Sequence, residues 1–545
     1  MRRKRIQLSI ALLMAAIAAC TPSSSKAVEE EGLQPEPTLE PVYSIWMAPY
    51  LPERLTDRLP LPVNAVITAD KGSADVLIDV GSDQIIAQWT YVLVAPFPTV
   101  ADEVSFAELK DVWSGSQQPD FPASGLLVDG STRGVLEKLW GTASPATVRV
   151  ASREDLLSQS WEGRESWAII PFEQLEPRWK VIMLDGQSPL QKEFNSANYP
   201  LNIPFSLVGD RLAVFGVQER FEKIQGVSSL PLINRDPDKL TTVMLTGVTA
   251  LVRGTALMME RNGMTYPAID IGDLLRSADI LHISNEISFL ETCPNPFYRQ
   301  DLYEDRLVFC SKPQYIQLLE AIGTDVVELT GDHFEDVGPE AVLQTISMYE
   351  ERGWQYYGGG RNLADSLEPA LFEHNGNRIA FLGCNAKPPG YSRVSETNPG
   401  ALHCDLDAME GDVRQLVQEG YNPIFTFQHL EYYRYNANPN LVPDFRQVAE
   451  AGAVIVSGSQ AHQPHAFEFY RDSFLHYGLG NLFFDQYYEG FAQRQAFIDN
   501  HIFYNGRHIS TEVYTIIFID LARTRFMDND ERNDLLNTVF AASGW

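Results

Sequence analysis

The chain has 545 residues, of which 44% are hydrophobic, and its 72 acidic residues outnumber 42 basic ones to give a formal charge of −30. This length and composition suffice to bury more than one core, so we expect two to four domains. The acidic surplus argues against a nucleic-acid partner, because phosphate backbones are bound through clusters of Lys and Arg.

The first twenty residues have the pattern of an export signal. A basic start is followed by an apolar run at residues 6–19, which ends in Ala18-Ala19 directly before Cys20. This order is typical of a bacterial lipoprotein signal, and an apolar run of 14 residues is too short to span about 30 Å of hydrocarbon. We therefore predict a signal at residues 1–20, lipidation of Cys20 and an extracytoplasmic, membrane-anchored location. An ordinary secretory signal is the alternative.

Residues 21–40 are rich in Ser, Glu and Pro and predict a flexible linker. The remaining cysteines are even in number, as expected for disulfides outside the cytoplasm. Their spacing favours the neighbouring pairs Cys293–Cys310 and Cys384–Cys404. Four cysteines nevertheless permit three pairings.

Residues 41–235 alternate strand and helix patterns and predict an α/β domain. Strand patterns occur at residues 74–80 and 90–95, and a helical pattern occurs at residues 106–114. This part of the chain resembles the type 2 periplasmic solute-binding proteins of the phosphate-binding kind. The resemblance implies a solute-binding-protein-like domain.

The run DGSTRG at residues 129–134, which leads into a helical pattern, looks like the anion loop of those proteins. Hydroxyls and free backbone N–H groups at a helix start favour anions. The resemblance thus makes Ser131, Thr132 and Arg133 candidate ligand-binding residues. Simple capping of the helix by Ser131 or Thr132 is the alternative.

The second region contains a series of buried strand patterns, each followed by polar residues. The patterns lie at residues 242–247, 279–284, 325–330, 378–383, 423–427 and 453–456. Because α/β sheets place their sites at the carboxyl ends of strands, we expect the functional side chains there.

Three motifs identify the second region with a known family. They are DHFEDVG at residues 332–338, YGGGRNL at 357–363 and YGLGNLFFD at 477–485. In this order they resemble the CapA family, the poly-gamma-glutamate capsule synthesis proteins, over residues 241–488. The resemblance implies a four-layered α/β/β/α metallophosphatase-like (calcineurin-like) domain at residues 236–525, followed by a C-terminal tail at 526–545. The glycines at 358–360 predict a turn that needs positive φ rather than a nucleotide loop.

The family pattern implies a metal or polar centre built from five loops, and this chain departs from it. Val248 follows Gly247 where the family has an Asp, so the carboxylate expected to bridge two ions is missing. In the second loop Ser284 stands where the family usually has Asn, but Glu286 is kept. In the third loop Asp332 replaces an Asn before His333.

The last two loops are also altered. In the fourth, either His429 or Glu431 matches the family pattern, and the spacing does not allow both. In the fifth, GSQAH at residues 458–462 has Gln460 where the family has its first ligand histidine, and keeps His462. Loss of two ligands does not favour the two-metal chemistry of ordinary phosphoesterases.

Three interpretations of the centre stay open: one divalent ion (Mn, Zn or Mg), metal-free acid/base chemistry, and a hydrogen-bonded polar network. The candidate catalytic residues are His333, His462, Glu286 and Glu431. Candidate metal ligands are Asp332 and His462, and candidate ligand-binding residues are Gln460 and Asn481. Among the other histidines we expect His282 in the core and His374, His501 and His508 at the surface.

The resemblance implies a lipid-anchored cell-envelope protein for synthesis, retention or export of an anionic polymer such as poly-gamma-glutamate. If the protein is an enzyme, the resemblance suggests acyl or phosphoryl transfer. The alternatives are a non-catalytic binding protein for an anionic ligand and a single-metal hydrolase. Expected partners are the membrane, membrane proteins of capsule synthesis and the anionic polymer, for which Tyr432, Tyr433 and Tyr487 are candidates for a binding rim.

Overall fold

The computed structural model describes residues 42–59, 61, 64–119, 121–223, 230–296, 308–388 and 392–545. The predicted signal, Cys20 and the predicted linker at 21–40 lie outside the described residues. Within the described part of the chain, no helix combines the length and the apolar character that crossing a membrane requires.

The first region, residues 43–235, is a mixed sheet flanked by helices. Its strands are β1 (Tyr43–Met47), β2 (Ala65–Ile67), β3 (Val76–Val80), β4 (Ile85–Pro96), β5 (Glu103–Val104), β6 (Leu126–Val128), β7 (Val148–Val150), β8 (Trp167–Pro171), β9 (Trp179–Val181), β10 (Met183–Leu184), β11 (Asn202–Gly209) and β12 (Leu232–Ile233). Its helices are α1 (Glu53–Arg58), α2 (Phe106–Ser114), α3 (Gly130–Trp140), α4 (Leu156–Trp161) and α5 (Arg211–Lys223).

The main sheet of this region has the order β2-β1-β3-β11-β4-β8-β6-β7. The predicted strands at 74–80 and 90–95 fall in β3 and β4, and the predicted helix at 106–114 is α2. Helix α2 begins at a capping box, in which Ser105 and Glu108 satisfy each other's backbone N–H groups, and it ends at Gly115, whose φ is +106°.

The second region contains two further large sheets. Its strands are β13 (Leu240–Thr246), β14 (Val248–Thr249), β15 (Ile280–Asn285), β16 (Val326–Glu328), β17 (Gln355–Tyr357), β18 (Gly359–Gly360), β19 (Ala370–His374), β20 (Asn377–Asn385), β21 (Gly400–Ala401), β22 (Asn422–Gln428), β23 (Ile455–Ser457), β24 (Phe467–Tyr470), β25 (Ser473–His476), β26 (Asn481–Phe483), β27 (Gln495–Tyr504), β28 (Arg507–Ile519) and β29 (Arg523–Phe526). Its helices are α6 (Arg253–Asn262), α7 (Gly272–Ser277), α8 (Ile316–Ala321), α9 (Pro339–Glu350), α10 (Leu363–Ser366), α11 (Leu406–Gln418), α12 (Val442–Ala451) and α13 (Asn529–Ala542).

The two sheets of the second region pack face to face between layers of helices. One sheet runs β17-β16-β15-β13-β27-β28-β29 and the other β19-β20-β22-β23-β25-β24. Their facing side chains, such as Leu245, Phe497, Phe381 and Ile424, share one core. Helices α6 to α9 cover the outer face of the first sheet, and α11 and α12 cover that of the second. The predicted α/β/β/α layering is confirmed.

The hairpin β27–β28 corrects the expectation that His501 and His508 lie at the surface. Both side chains are buried. One face of the hairpin packs on the second sheet, and Ile502 and Ile509 on its other face pack against residues of the first region. His374, by contrast, keeps 40% of its side chain exposed. The segment expected as a C-terminal tail contains α13, whose apolar side joins the core between the sheets.

Two smaller predictions are confirmed and a third holds in part. The disulfides are Cys293–Cys310 and Cys384–Cys404. Of the glycines at 358–360, Gly358 has the expected positive φ, at +72°, whereas Gly359 and Gly360 form the short strand β18 and not a turn. His282 is a buried core residue whose Nε2 lies 3.0 Å from the Tyr357 hydroxyl and 3.3 Å from Glu328.

Candidate functional site

Side chains from the carboxyl ends of five parallel strands meet at one edge of the facing sheets. Strands β15 and β16 come from the first sheet, and β20, β22 and β23 come from the second. We call this set the strand-end site; it comprises Glu286, Asp332, His333, Lys387, Glu431 and His462. The prediction that polar groups gather where these strands end is confirmed, because parallel strands present their carboxyl ends together.

Glu286, Asp332 and His333 form the centre of the strand-end site. One donor atom from each lies within 4.8 Å of the other two. The loop after β16 comes this close to the loop after β15 because Gly331 has no side chain: a Cβ there would lie 2.7 Å from the Glu286 Cα. A residue larger than glycine would push the carboxylates apart.

His333 has a fixed orientation. Its Nδ1 lies 2.7 Å from the Asp336 carboxylate, which leaves Nε2 as the ring nitrogen available to a ligand. A histidine whose second nitrogen is held by a carboxylate is a common arrangement for metal-ligating rings, because the carboxylate sets the tautomer and increases ligand basicity. Asp336 lies in the DHFEDVG motif, and only the structure shows that it holds the ring of His333.

Lys387 is the main residue that the sequence analysis missed. Its Nζ donates to Asp332 Oδ2 at 2.7 Å and to Glu431 Oε1 at 2.7 Å, and its side chain is 8% exposed. The Lys387 backbone N–H is held by Asn385 Oδ1 at 2.8 Å. The residue follows the end of β20, so the strand-end rule that selected the other candidates would have selected it as well.

The fourth loop resolves the alternative between His429 and Glu431. Glu431 lies in the strand-end site, where its Oε1 accepts from Lys387. His429 faces outward from it, with Nε2 3.0 Å from Asp444. The last residue of β22, Gln428, is fully buried and donates from Nε2 to Asp332 Oδ1 at 2.8 Å.

His462 is held in one tautomer by Asn481. The Asn481 amide nitrogen donates to the carbonyls of His462 and Gln493, so its Oδ1 must accept from His462 Nδ1, 2.9 Å away. The Nε2 of His462 therefore faces Glu431 Oε1, at 3.7 Å, with its lone pair available. Asn481 thus positions His462, and ligand binding by Asn481 and Gln460 stays a prediction.

Burial and charge set the ionisation of the strand-end site. Burial raises the pKa of Glu286 to about 8. Burial opposes the charged ring of His333, but the Asp336 hydrogen bond and nearby carboxylates raise its pKa to about 9. Burial likewise opposes the charge of Lys387, yet Asp332 and Glu431 hold its pKa above the usual value. Burial lowers the pKa of His462.

Three of the positions that depart from the family pattern meet at Ser284. Val248 is paired with Ser284 across β14 and β15, and Gln460 donates from Nε2 to the Ser284 hydroxyl at 2.6 Å. All three side chains are buried. This chain has an apolar group and a neutral amide where the family pattern has an Asp and a ligand histidine, so the ligands of the family pattern are missing on this side of the site.

The predicted anion loop of the first region uses most of its polar groups internally. Asp129, not Ser131 or Thr132, caps α3, accepting from the Thr132 N–H at 2.6 Å. Ser131 donates to the Tyr50 carbonyl at 2.8 Å, and Arg133 pairs with Glu137. The buried Thr132 hydroxyl lacks a partner. Ligand binding by Ser131, Thr132 and Arg133 stays a prediction.

Residues 242–486 match the family model described as "Bacterial capsule synthesis protein PGA_cap". This segment belongs to the capsule synthesis family. The chain is 23% identical over 283 residues to the capsule biosynthesis protein CapA of Bacillus anthracis, covering 51% of this chain and 68% of that protein. It is 20% identical to the PGA biosynthesis protein CapA of Bacillus subtilis (strain 168), covering 52% and 73%.

A further relative is a probable polyglutamine synthesis accessory protein of Mycobacterium tuberculosis, 24% identical over 36% of this chain and 54% of that protein. Similar solved structures include the 5'-nucleotidase precursor from Thermus thermophilus, at 12% identity, coverage of 56% and 58% and a TM-score of 0.32. Another is an ABC-type phosphate transport receptor from Vibrio cholerae, at 12% identity, coverage of 33% and 93% and a TM-score of 0.26. We draw no conclusion from likenesses at these TM-scores.

Proposed function

We propose that the strand-end site binds one divalent cation and acts on an acidic capsule polymer, such as poly-gamma-glutamate, outside the membrane. The observation that carries the proposal is the group of Glu286, Asp332 and His333, in which Asp336 fixes the ring of His333. The family of residues 242–486 and the names of its relatives support the capsule-related role.

The residues present suit a single cation. Glu286 Oε1 is buried without a hydrogen-bond partner, and a buried carboxylate oxygen is costly unless it meets a positive charge or a donor. Two carboxylates and one imidazole are the donor types that Mn²⁺ and Zn²⁺ accept. Val248 and Gln460 stand where the family pattern has an Asp and a ligand histidine, so a second ion lacks its ligands on that side of the site. Glu286, Asp332 and His333 would therefore hold the ion.

Bound there, a cation would supply Lewis acidity toward a carbonyl or phosphoryl oxygen and positive charge for polymer carboxylates. The chain itself supplies the remaining groups. His462 presents Nε2 as a proton acceptor, and Lys387 provides a fixed ammonium beside it. These two groups give the site a base and a positive charge within reach of Glu431.

Electrostatics supports the need for positive charge at this place. The chain has a formal charge of −30, and a polymer of carboxylates is repelled by such a surface. A cation and Lys387 together would offset that repulsion locally. Tyr433 is 55% exposed and donates to Glu431 Oε2 at 3.1 Å, so an aromatic face is available for polymer contact beside the site.

Metal binding tests the proposal directly. Titration of the purified, chelator-treated protein with Mn²⁺, followed by electron paramagnetic resonance, should give one bound ion per chain. Glu286→Gln and His333→Ala should each reduce its affinity about tenfold or more, because the first removes the negative charge of a ligand and the second removes the imidazole. Glu373→Gln, at an exposed carboxylate paired with Arg378, is the matched control and should leave binding unchanged.

The same samples test the polymer. Poly-gamma-glutamate of defined length should bind more tightly with Mn²⁺ than without it, and size analysis of the recovered polymer distinguishes turnover from binding alone. Absence of Mn²⁺ binding by the wild-type protein would refute the cation site, and equal polymer binding with and without Mn²⁺ would refute its role.

Membrane anchoring through Cys20 is the second part of the proposal. The signal pattern before Cys20 supports it, and so do two disulfides, which persist outside the cytoplasm. Cys20→Ala should move the protein from the membrane fraction to the soluble fraction of host cells. Unchanged membrane association would refute the lipid anchor.

A further inference from the structure

We infer that the Lys387 ammonium occupies the place of a second divalent cation in the strand-end site. Without this ammonium, Asp332, Glu431 and His462 would hold a second ion beside the first. The inference rests on the proposed function for its first cation. In this view Lys387 sets the number of ions that the site accepts.

The contacts of Lys387 are those of a bridging cation. Its Nζ lies 2.7 Å from one carboxylate oxygen of Asp332 and 2.7 Å from one of Glu431, and these two carboxylates come from different sheets. An ammonium has three N–H donors, so one lysine can make both hydrogen bonds at once. A divalent ion between two carboxylates would make the same bridge.

The surroundings of Lys387 hold it in this position. Only 8% of its side chain is exposed, and the Asn385 side chain fixes its backbone N–H. The Ala386 N–H also donates to the Gln428 carbonyl at 2.8 Å, which ties the loop to the neighbouring strand. A buried ammonium with two carboxylate partners cannot leave without a high cost in free energy, so it excludes a second ion from the space between Asp332 Oδ2 and Glu431 Oε1.

The donors for a second ion remain around the lysine. Glu431 Oε1 lies 3.7 Å from His462 Nε2, whose lone pair faces it because Asn481 holds Nδ1. The buried Gln428 side chain, which donates to Asp332, has an unpartnered Oε1. Two carboxylates and one imidazole would thus face the space that removal of the lysine side chain opens.

Two substitutions of Lys387 separate charge from space. Lys387→Ala removes the ammonium and opens room, whereas Lys387→Met removes the charge and keeps most of the volume. We expect Lys387→Ala to bind one more Mn²⁺ per chain than the wild-type protein, measured by elemental analysis and by the spin-coupled signal of a Mn²⁺ pair. Lys387→Met should not gain an ion. Lys239→Ala, which removes an exposed lysine near Asp236, controls for the change in net charge.

The outcomes distinguish this inference from the proposed function. Two Mn²⁺ ions in the wild-type protein, or an unchanged count in folded Lys387→Ala, would overturn the role of Lys387. A wild-type protein that binds none, together with Lys387→Ala that gains one, would overturn the first cation and support the role of Lys387. If Lys387→Ala does not fold, the double variant Lys387→Ala/Glu431→Gln relieves the unpaired charge, and the wild-type count still decides between one ion and two.

Discussion

The predicted anion loop, which is Asp129 and the first turn of α3, and the strand-end site both follow the carboxyl end of a strand, but the partners of their charged side chains differ. In the predicted anion loop, Asp129 accepts from the backbone of Thr132, three positions away, and Arg133 pairs with Glu137 one helical turn later. In the strand-end site, Asp332 meets Lys387 and Gln428, which lie 55 and 96 residues away. Asp129 and Arg133 thus have local partners, whereas distant partners hold the buried charges of the strand-end site.

Because of burial, charged groups in the strand-end site should affect stability more than those in the predicted anion loop. The side chains of Lys387 and Asp332 are 8% and 6% exposed, whereas that of Arg133 is 43% exposed. A charge in the interior is costly when its partner is removed, but an exposed pair is screened by water. The comparison predicts large effects in the strand-end site and small effects in the loop.

The largest effect is expected for Asp332→Ala. Because this change leaves the Lys387 ammonium with one carboxylate partner and the Gln428 amide without its acceptor, we expect the free energy of unfolding to fall by about 3–5 kcal/mol. Urea unfolding of the chelator-treated protein measures this change. A decrease of less than about 1 kcal/mol in the free energy of unfolding would mean that the charges of the strand-end site matter no more to stability than those of the predicted anion loop.

The next prediction concerns pH, through His508 in the buried hairpin. Burial lowers the pKa of His508 to about 3, well below the ordinary value of 6.5. As pH falls below about 6.5, the unfolded chain gains a proton that the folded chain does not, so stability decreases by up to about 1.4 kcal/mol per pH unit toward pH 3. His508→Gln should reduce the dependence between pH 6.5 and 4 in denaturation midpoints without abolishing it, because burial also lowers the pKa of His465 and of His501. His374→Gln, at a partly exposed histidine, should leave the dependence unchanged.

A smaller effect is expected at the cap of α3. Asp129→Ala removes the acceptor for the Thr132 N–H and should cost about 1 kcal/mol of stability. Ser131→Ala serves as the comparison, since Ser131 donates to the Tyr50 carbonyl and does not cap the helix. If Asp129→Ala left the thermal melt unchanged, the assignment of Asp129 as the cap would be wrong.

The smallest effect is expected for Arg133→Ala. Its pair with Glu137 is an exposed contact within one helix, worth about 0.3–0.5 kcal/mol. Stability should therefore change little, and isothermal titration with inorganic phosphate tests the separate prediction that this loop binds an anion. A decrease of more than about 1 kcal/mol in the free energy of unfolding would show that Arg133 contributes more to stability than an exposed ion pair does.

Several features followed from the sequence because they depend on neighbours along the chain. Strand patterns located β3, β4 and the parallel strands that carry the site, since a buried strand must be apolar over a short run. The nearby cysteine pairs were also predictable, as was the strand-end position of Glu286, Asp332 and His333.

Other features depended on contacts that no local pattern contains. Only the packing of two sheets brought Lys387 between Asp332 and Glu431, chose Glu431 over His429, and covered both faces of the hairpin that buries His508. The positions of polar groups along each strand could be predicted from the amino-acid sequence, because hydrophobic periodicity is local. The tertiary structure alone decided which of these groups meet, because burial and charge pairing arise between segments far apart in the chain.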